Sequence, residues 1–139
     1  MKMNVYITTK DLDIQGFAVF QVSENHYNFD SVPQNSCNEV IIEDAVEYMD
    51  DIPKFLNSCC SLVRKGGVIR IFGMDLRSVC LSYVSSQMNT QTFNQVVTQD
   101  KRGAISLHEL NQIIKSLGMD IQKSSLNENA MYEVVAIRK

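Results

Sequence analysis

Between Glu39 and Phe72 the chain changes its hydrophobic period twice, and that double change narrows the folds open to it. Glu39-Val40-Ile41-Ile42 is a short apolar run of strand type. From Asp51 the apolar residues Ile52, Phe55, Leu56, Cys59, Leu62 and Val63 recur at threes and fours. That spacing predicts an amphipathic helix, with Asp51 as N-cap, Pro53 in the first turn and Lys65-Gly66 at its end. Val68-Ile69-Arg70-Ile71-Phe72 is then almost continuously apolar, the pattern of a strand buried on both faces of a parallel sheet. Leu62 to Gly67 therefore reads as a helix ending and a two-glycine turn that launches this strand.

The flanks extend the same alternation. Two strand-like bursts open the chain, Asn4 to Ile7 and Phe17 to Val22, separated by the polar segment Thr8 to Asp13 and by Gly16. Ser23 to Pro33 is loop-like, with at most a short extended piece at His26 to Phe29. Leu76, Val79, Cys80, Tyr83 and Val84 begin a second helix, and Thr92 to Val97 suits a shorter one. Ser106-Leu107-His108-Glu109 has capping-box spacing, and Leu107, Leu110, Ile113, Ile114 and Leu117 form one stripe before Gly118. Met119 to Leu126 and Met131 to Ile137 close the chain as a hairpin around Asn127-Glu128-Asn129. The fold class implied is α/β, one domain over residues 1–139, mostly parallel with a C-terminal antiparallel hairpin.

Charge and cysteine usage remove several function classes. A formal net charge of -3, with lysines and arginines scattered, gives no basic footprint for nucleic acid or an anionic membrane. The chain opens without a charged segment followed by a long apolar run, so a cytoplasmic protein is expected. Cys37, Cys59, Cys60 and Cys80 lack paired C-x-x-C spacing and read as free, mostly buried thiols. With only His26 and His108 to help, no metal site is expected.

In an open parallel sheet, ligands bind beyond the carboxyl ends of the strands. Here those ends are Ile7-Thr8-Thr9, Gln21-Val22, Ile42-Glu43-Asp44 and Gly73-Met74-Asp75. Each candidate has a plain structural role beside it. Thr8 and Thr9 suit a strand end, Asp44 and Glu47 suit a solvated approach to a helix, and Asp75 suits the N-cap of the helix at Leu76.

Asn38 to Tyr48, a helix, Leu62-Val63-Arg64-Lys65-Gly66-Gly67 and a strand ending in Asp75 together resemble class I S-adenosylmethionine-dependent methyltransferases. In that family a strand runs into a "hxLEH"-like segment and an "L-K-P-G-G" turn leads to the next strand; here Val46-Glu47-Tyr48 and Arg64-Lys65-Gly66-Gly67 stand there. His108-Glu109-Leu110, Leu117-Gly118-Met119 and the closing Tyr132 to Lys139 are similar to its last helix and final hairpin. The opening resembles a compact branch, with Val5 to Lys10 at the glycine loop and Gly16 to Gln21 at the second motif. The resemblance implies a Rossmann-like methyltransferase-type sheet and S-adenosylmethionine as cofactor. It places Ile7, Thr8, Thr9, Gln21, Asn28 and Glu43 at the cofactor, with Asp44 and Glu47 as catalytic candidates.

Three departures shape the expected function. Ile7 to Asp13 contains no glycine, so nothing there frees the backbone from a Cβ. Gln21 stands where an acidic residue would take both ribose hydroxyls, with Glu24 three residues on; Asn28 stands where an acid would meet the adenine amine, Asp30 matching only after a shift of two. The connections Thr8 to Gln15 and Val22 to Asn38 hold no periodic helix, so one sheet face should have reduced helical cover. Exposed apolar sheet marks an interface, implying a homo-oligomer unless Leu76 to Val97 folds across it. Two readings follow: a small methyltransferase with an eroded cofactor site, or a non-catalytic descendant that binds a small molecule or a protein.

Overall fold

The computed structural model describes residues 3–23, 25–98 and 103–139. Six strands form one sheet: β1 (Met3–Thr8), β2 (Ala18–Gln21), β3 (Cys37–Glu43), β4 (Val63–Met74), β5 (Met119–Leu126) and β6 (Met131–Arg138), in the order β2-β1-β3-β4-β6-β5. The first four are mutually parallel, while β6 runs antiparallel to β4 and to β5. The expected mixed α/β sheet with a terminal hairpin is present. The registers Thr8↔Gln21, Thr8↔Glu43 and Glu43↔Phe72 bring the carboxyl ends of the parallel strands to one edge.

Helix α1 (Ile52–Cys60) starts where the sequence placed it, the Lys54 N–H donating to Asp51 Oδ1 at 3.1 Å. It stops earlier than the apolar spacing suggests. Leu62 and Val63 are buried in the turn and in the first residue of β4, so their period belongs to two elements. The double glycine lies inside β4 rather than ahead of it. Pairing jumps from Cys37↔Val63 to Glu39↔Val68, so residues 64–67 bulge out of the ladder. Gly66 takes φ +80°, and a Cβ on Gly67 would lie 2.8 Å from the Cys37 carbonyl oxygen. The two glycines thus serve, in turn, the positive φ and the close backbone approach that a bulge needs.

Alternation along the strands separates a sealed face from an open one. Val40, Ile42, Ile69, Ile71, Val134 and Ala136 are buried beneath α1 and α4 (Leu107–Ser116). Beside them Phe20, Phe29, Tyr27 and Phe55 make a chain of ring contacts 5.0–5.6 Å apart, so the loop before β3 seals the β2 end. Residues of the other parity, among them Ile41, Val68, Phe72, Val135 and Ile137, are only half-buried. Helices α2 (Leu76–Val84) and α3 (Thr90–Thr98) do not supply the missing cover. They pack on each other, Tyr83 stacking on Phe93 at 4.4 Å, and Leu81 and Val84 stay exposed. The segment offered as the alternative cover for this face lies at the strand tips, where Val79, Val96 and Val97 line a hollow with Glu47 and Met74.

Cys37, Cys59 and Cys60 are free buried thiols, and Cys80 is free and half-buried. Burial pushes the Cys60 thiol up to about 12, against weaker relief from Arg138, and burial, with Cys60 beside it, raises Cys59 well above its ordinary value. The unfolded chain sheds these protons from the ordinary 9.0 upward while the folded chain keeps them. Stability must therefore fall as pH rises through that window, by about 1.4 kcal/mol per pH unit for each retained proton. Urea denaturation at stepped alkaline pH will show this decline, and Cys60→Ala will reduce its slope by one group. An unchanged slope in that variant would show that Cys60 ionises equally in both states.

Candidate active site at the strand tips

Each strand brings a polar side chain to the same edge. The Thr8 side chain, fully buried, accepts from the Lys10 N–H at 3.2 Å. Thr9 Oγ1 donates to the Asp44 carbonyl at 2.9 Å, and Gln21 Nε2 donates to the Thr9 carbonyl at 3.3 Å. Glu43 accepts from the Tyr6 hydroxyl and lies 3.9 Å from Lys10 Nζ. Ile7 is buried just below, so its side chain supports the edge from the core.

The polypeptide then turns sharply. Asp44 adopts φ +55°, a left-handed conformation that aspartate tolerates better than most residues, and its N–H reaches the Phe72 carbonyl at 3.3 Å. The chain continues into a single 3₁₀ turn, Val46–Tyr48, which carries Glu47 inward. Glu47 is 3% exposed, and its Oε1 accepts from the Met74 N–H at 2.8 Å. The sequence offered Glu47 either as a catalytic candidate in the cleft or as a solvated residue near a helix; the structure makes it a buried carboxylate at the tip of β4.

Tyr132 of β6 completes this centre, opposite Gly73 in the β4 ladder. A Cβ added to Gly73 would lie 2.4 Å from the Tyr132 hydroxyl and 2.5 Å from Glu47 Oε1, so glycine is what lets both side chains converge there. Burial, then the carboxylates Glu47, Asp75 and Asp44, push the Tyr132 phenol well above its ordinary value. The hydroxyl therefore stays protonated, and among the described residues it has no hydrogen-bond partner.

Asp75 fulfils its expected N-cap role and a second one. Oδ2 accepts from the Ser78 N–H at 3.0 Å and the Ser78 hydroxyl at 2.6 Å, while Oδ1 accepts from the Leu107 N–H at 2.7 Å. The starts of α2 and α4 are thus tied to one carboxylate.

Thr8, Thr9, Gln21, Glu43, Asp44 and Glu47 converge at the edge; Asn28 does not. Its Oδ1 accepts from the Asp30 N–H at 2.8 Å, and it lines a separate hollow with Gln34, Ser61 and Leu62, near the amino ends of β3 and β4. Glu24 lies outside the described residues. Tyr132 was not anticipated, and Tyr6 and Lys10 entered only as part of the Val5 to Lys10 stretch at the glycine loop, without the roles they take here. Only the strand registers reveal them, since nothing local to Tyr132 announces that it faces Gly73.

Beside Glu43 a hollow of about 430 Å³ opens on the uncovered face, lined by Phe72, Leu126, Met131 and Glu133 among others. That volume lies within the range of small-molecule sites. The mixed sheet, parallel with an antiparallel C-terminal hairpin, matches that of solved structures. The chain has the fold of S-adenosylmethionine-dependent methyltransferases.

A methyltransferase of this kind from Thermotoga maritima superimposes with TM-score 0.61 at 13% identity, over 89% of this chain and 65% of that one. The Haloferax volcanii complex of the Trm112 activator with a methyltransferase gives 0.62 at 11% identity, over 91% and 63%. An O-methyltransferase family protein from Burkholderia thailandensis gives 0.61 at 12%, over 89% and 36%. In each case this methyltransferase-fold chain spans less than two thirds of the neighbour. No protein-family model matches it, and no curated protein matches it in sequence.

Proposed function

We propose that this chain is a methyltransferase-fold binding protein whose strand-tip cleft recognises a small molecule or a protein without transferring a methyl group. One observation carries this reading. The side chains of Thr8, Thr9 and Gln21, where S-adenosylmethionine would be held, are committed to hydrogen bonds within the tips themselves. The segment after β1 has no glycine before Gly16, so a ligand's polar end meets Cβ atoms where it needs bare backbone N–H groups. The residues present do not fit the cofactor well. Four free thiols are in keeping with a cytoplasmic setting; among the described residues, no helix is long and apolar enough to cross a membrane.

A second reading keeps methyl transfer, and the observation favouring it is the convergence of Asp44, Glu47 and the Tyr132 hydroxyl beyond β3 and β4. In this reading Glu47 or Asp44 orients or deprotonates an acceptor, with positioning as the main catalytic contribution. Calorimetric titration with S-adenosylmethionine and S-adenosylhomocysteine separates the two. The binding-protein reading expects dissociation constants of about a millimolar or weaker, roughly -4 kcal/mol. Micromolar binding abolished by Thr8→Val or Gln21→Ala would overturn it in favour of the enzyme.

A further inference from the structure

We propose that the uncovered sheet face docks against the same face of a second copy of this chain, with the two copies offset along the strands by the spacing of one charged row. The face is built in cross-strand rows fixed by the ladder registers, open over β3, β4, β6 and β5 and closed at β1, where Tyr6 and Thr8 are buried. The middle row reads Tyr6, Ile41, Arg70, Val135, Lys123, and its only charges are positive. The row toward the strand tips reads Thr8, Glu43, Phe72, Glu133, Ser125, and its only charges are negative. The row on the other side, Asn4, Glu39, Val68, Ile137, Asp120, is again negative.

Within one copy these rows neutralise each other laterally: Glu39 accepts from Arg70 Nε at 3.0 Å, and Glu133 lies 2.6 Å from Lys123 Nζ. Lys10 and Lys139 sit nearest Glu43 and Asp120 in the same way. Such a face has no net charge with which to attract nucleic acid, an anionic membrane or a strongly charged peptide. A second copy is different. A two-fold axis lying in the interface, between the basic row and the Glu43–Glu133 row, sets each row against its opposite in the other copy. Arg70 then falls over Phe72 of the second copy, flanked by that copy's Glu43 and Glu133, a cation over an aromatic face between two carboxylates. The axis belongs on this side because the exposed apolar residues Leu126 and Met131 rim the hollow there, and the second copy closes that hollow.

The contact is small: two overlapping rows, about 13 Å deep, across four open strands about 4.8 Å apart give roughly 250 Å² per copy, or about 500 Å² in total, the size of a weak, transient encounter. The association is therefore concentration-dependent rather than obligate.

Sedimentation velocity on the full chain, with charge-swapped variants, tests the proposal. The wild type is expected to pass from monomer to dimer between about 100 μM and 1 mM. The double variant R70E/K123E and the double variant E43K/E133K should each be monomeric, since like rows then oppose. Mixed one to one they should recover a dimer, because the rows again oppose with opposite sign, and that recovery also proves both variants folded. A wild type that stays monomeric throughout, variants that dimerise alone as well as it does, or a mixture that fails to associate would each overturn the arrangement.

Discussion

Replacing Asp75 by alanine will cost about 3 kcal/mol of stability, the sum of a lost helix cap of about 1 kcal/mol and a stranded N–H of about 2 kcal/mol. The cap is the pair of bonds from Ser78 to Oδ2 at the start of α2. The stranded group is the Leu107 N–H, the first of α4, which donates to Oδ1 in a site where Asp75 is 3% exposed. The cap of α4 itself, Ser106, is engaged with the Glu109 N–H at 3.2 Å and cannot turn to help. Asp75→Asn keeps one acceptor oxygen but faces one donor with an NH₂ group, so it should lose most of the same energy. Urea denaturation measures both; a loss below about 1 kcal/mol for the alanine variant would mean that water reaches Leu107 and that the two helix starts are not coupled.

Local chemistry made much of the fold legible. Asp51, Asp75 and Ser106 announce helix starts through side chains that reach only three residues ahead, and Gly118 announces an end through its positive φ. The hairpin follows from the turn composition of Asn127-Glu128-Asn129, and the thin helical cover on one face from connection lengths. What the sequence hid are the features that depend on two distant segments meeting. Leu62 and Val63 continued a helical period because a turn and a strand there happen to bury the same residues. Glu47 could be read as cleft-lining or solvated because its burial is created by the tip of β4, and Tyr132 looked like one more hairpin residue because Gly73 lies 59 positions earlier, a distance only register can bridge. The site was therefore readable as an edge and not as a set of partners. The charge rows were equally out of reach, since Arg70 and Lys123 share a row through a strand order that no local pattern encodes.

Gly73→Ala will be the second large effect, about 3 kcal/mol, because its new methyl meets three atoms at once. Its Cβ would lie 2.4 Å from the Tyr132 hydroxyl, 2.6 Å from Tyr132 Cζ and 2.5 Å from Glu47 Oε1, none of them at the surface. The ring cannot withdraw, since Tyr132 is 1% exposed and held in the β4–β6 ladder. Glu47 is the softer neighbour, but moving it breaks its bond to the Met74 N–H. Tyr132→Phe alone should leave stability unchanged or raise it by about 1 kcal/mol, because it deletes a buried hydroxyl with no partner among the described residues. In the double variant the shortest contact disappears while those with Cζ and Glu47 remain, so the rescue is partial. The cycle should show about 1 kcal/mol of coupling, beyond the few tenths expected of independent sites. Additive losses in urea denaturation would mean that the methyl strikes Glu47 alone, and then ligand affinity at the strand tips, rather than stability, becomes the property most sensitive to Gly73.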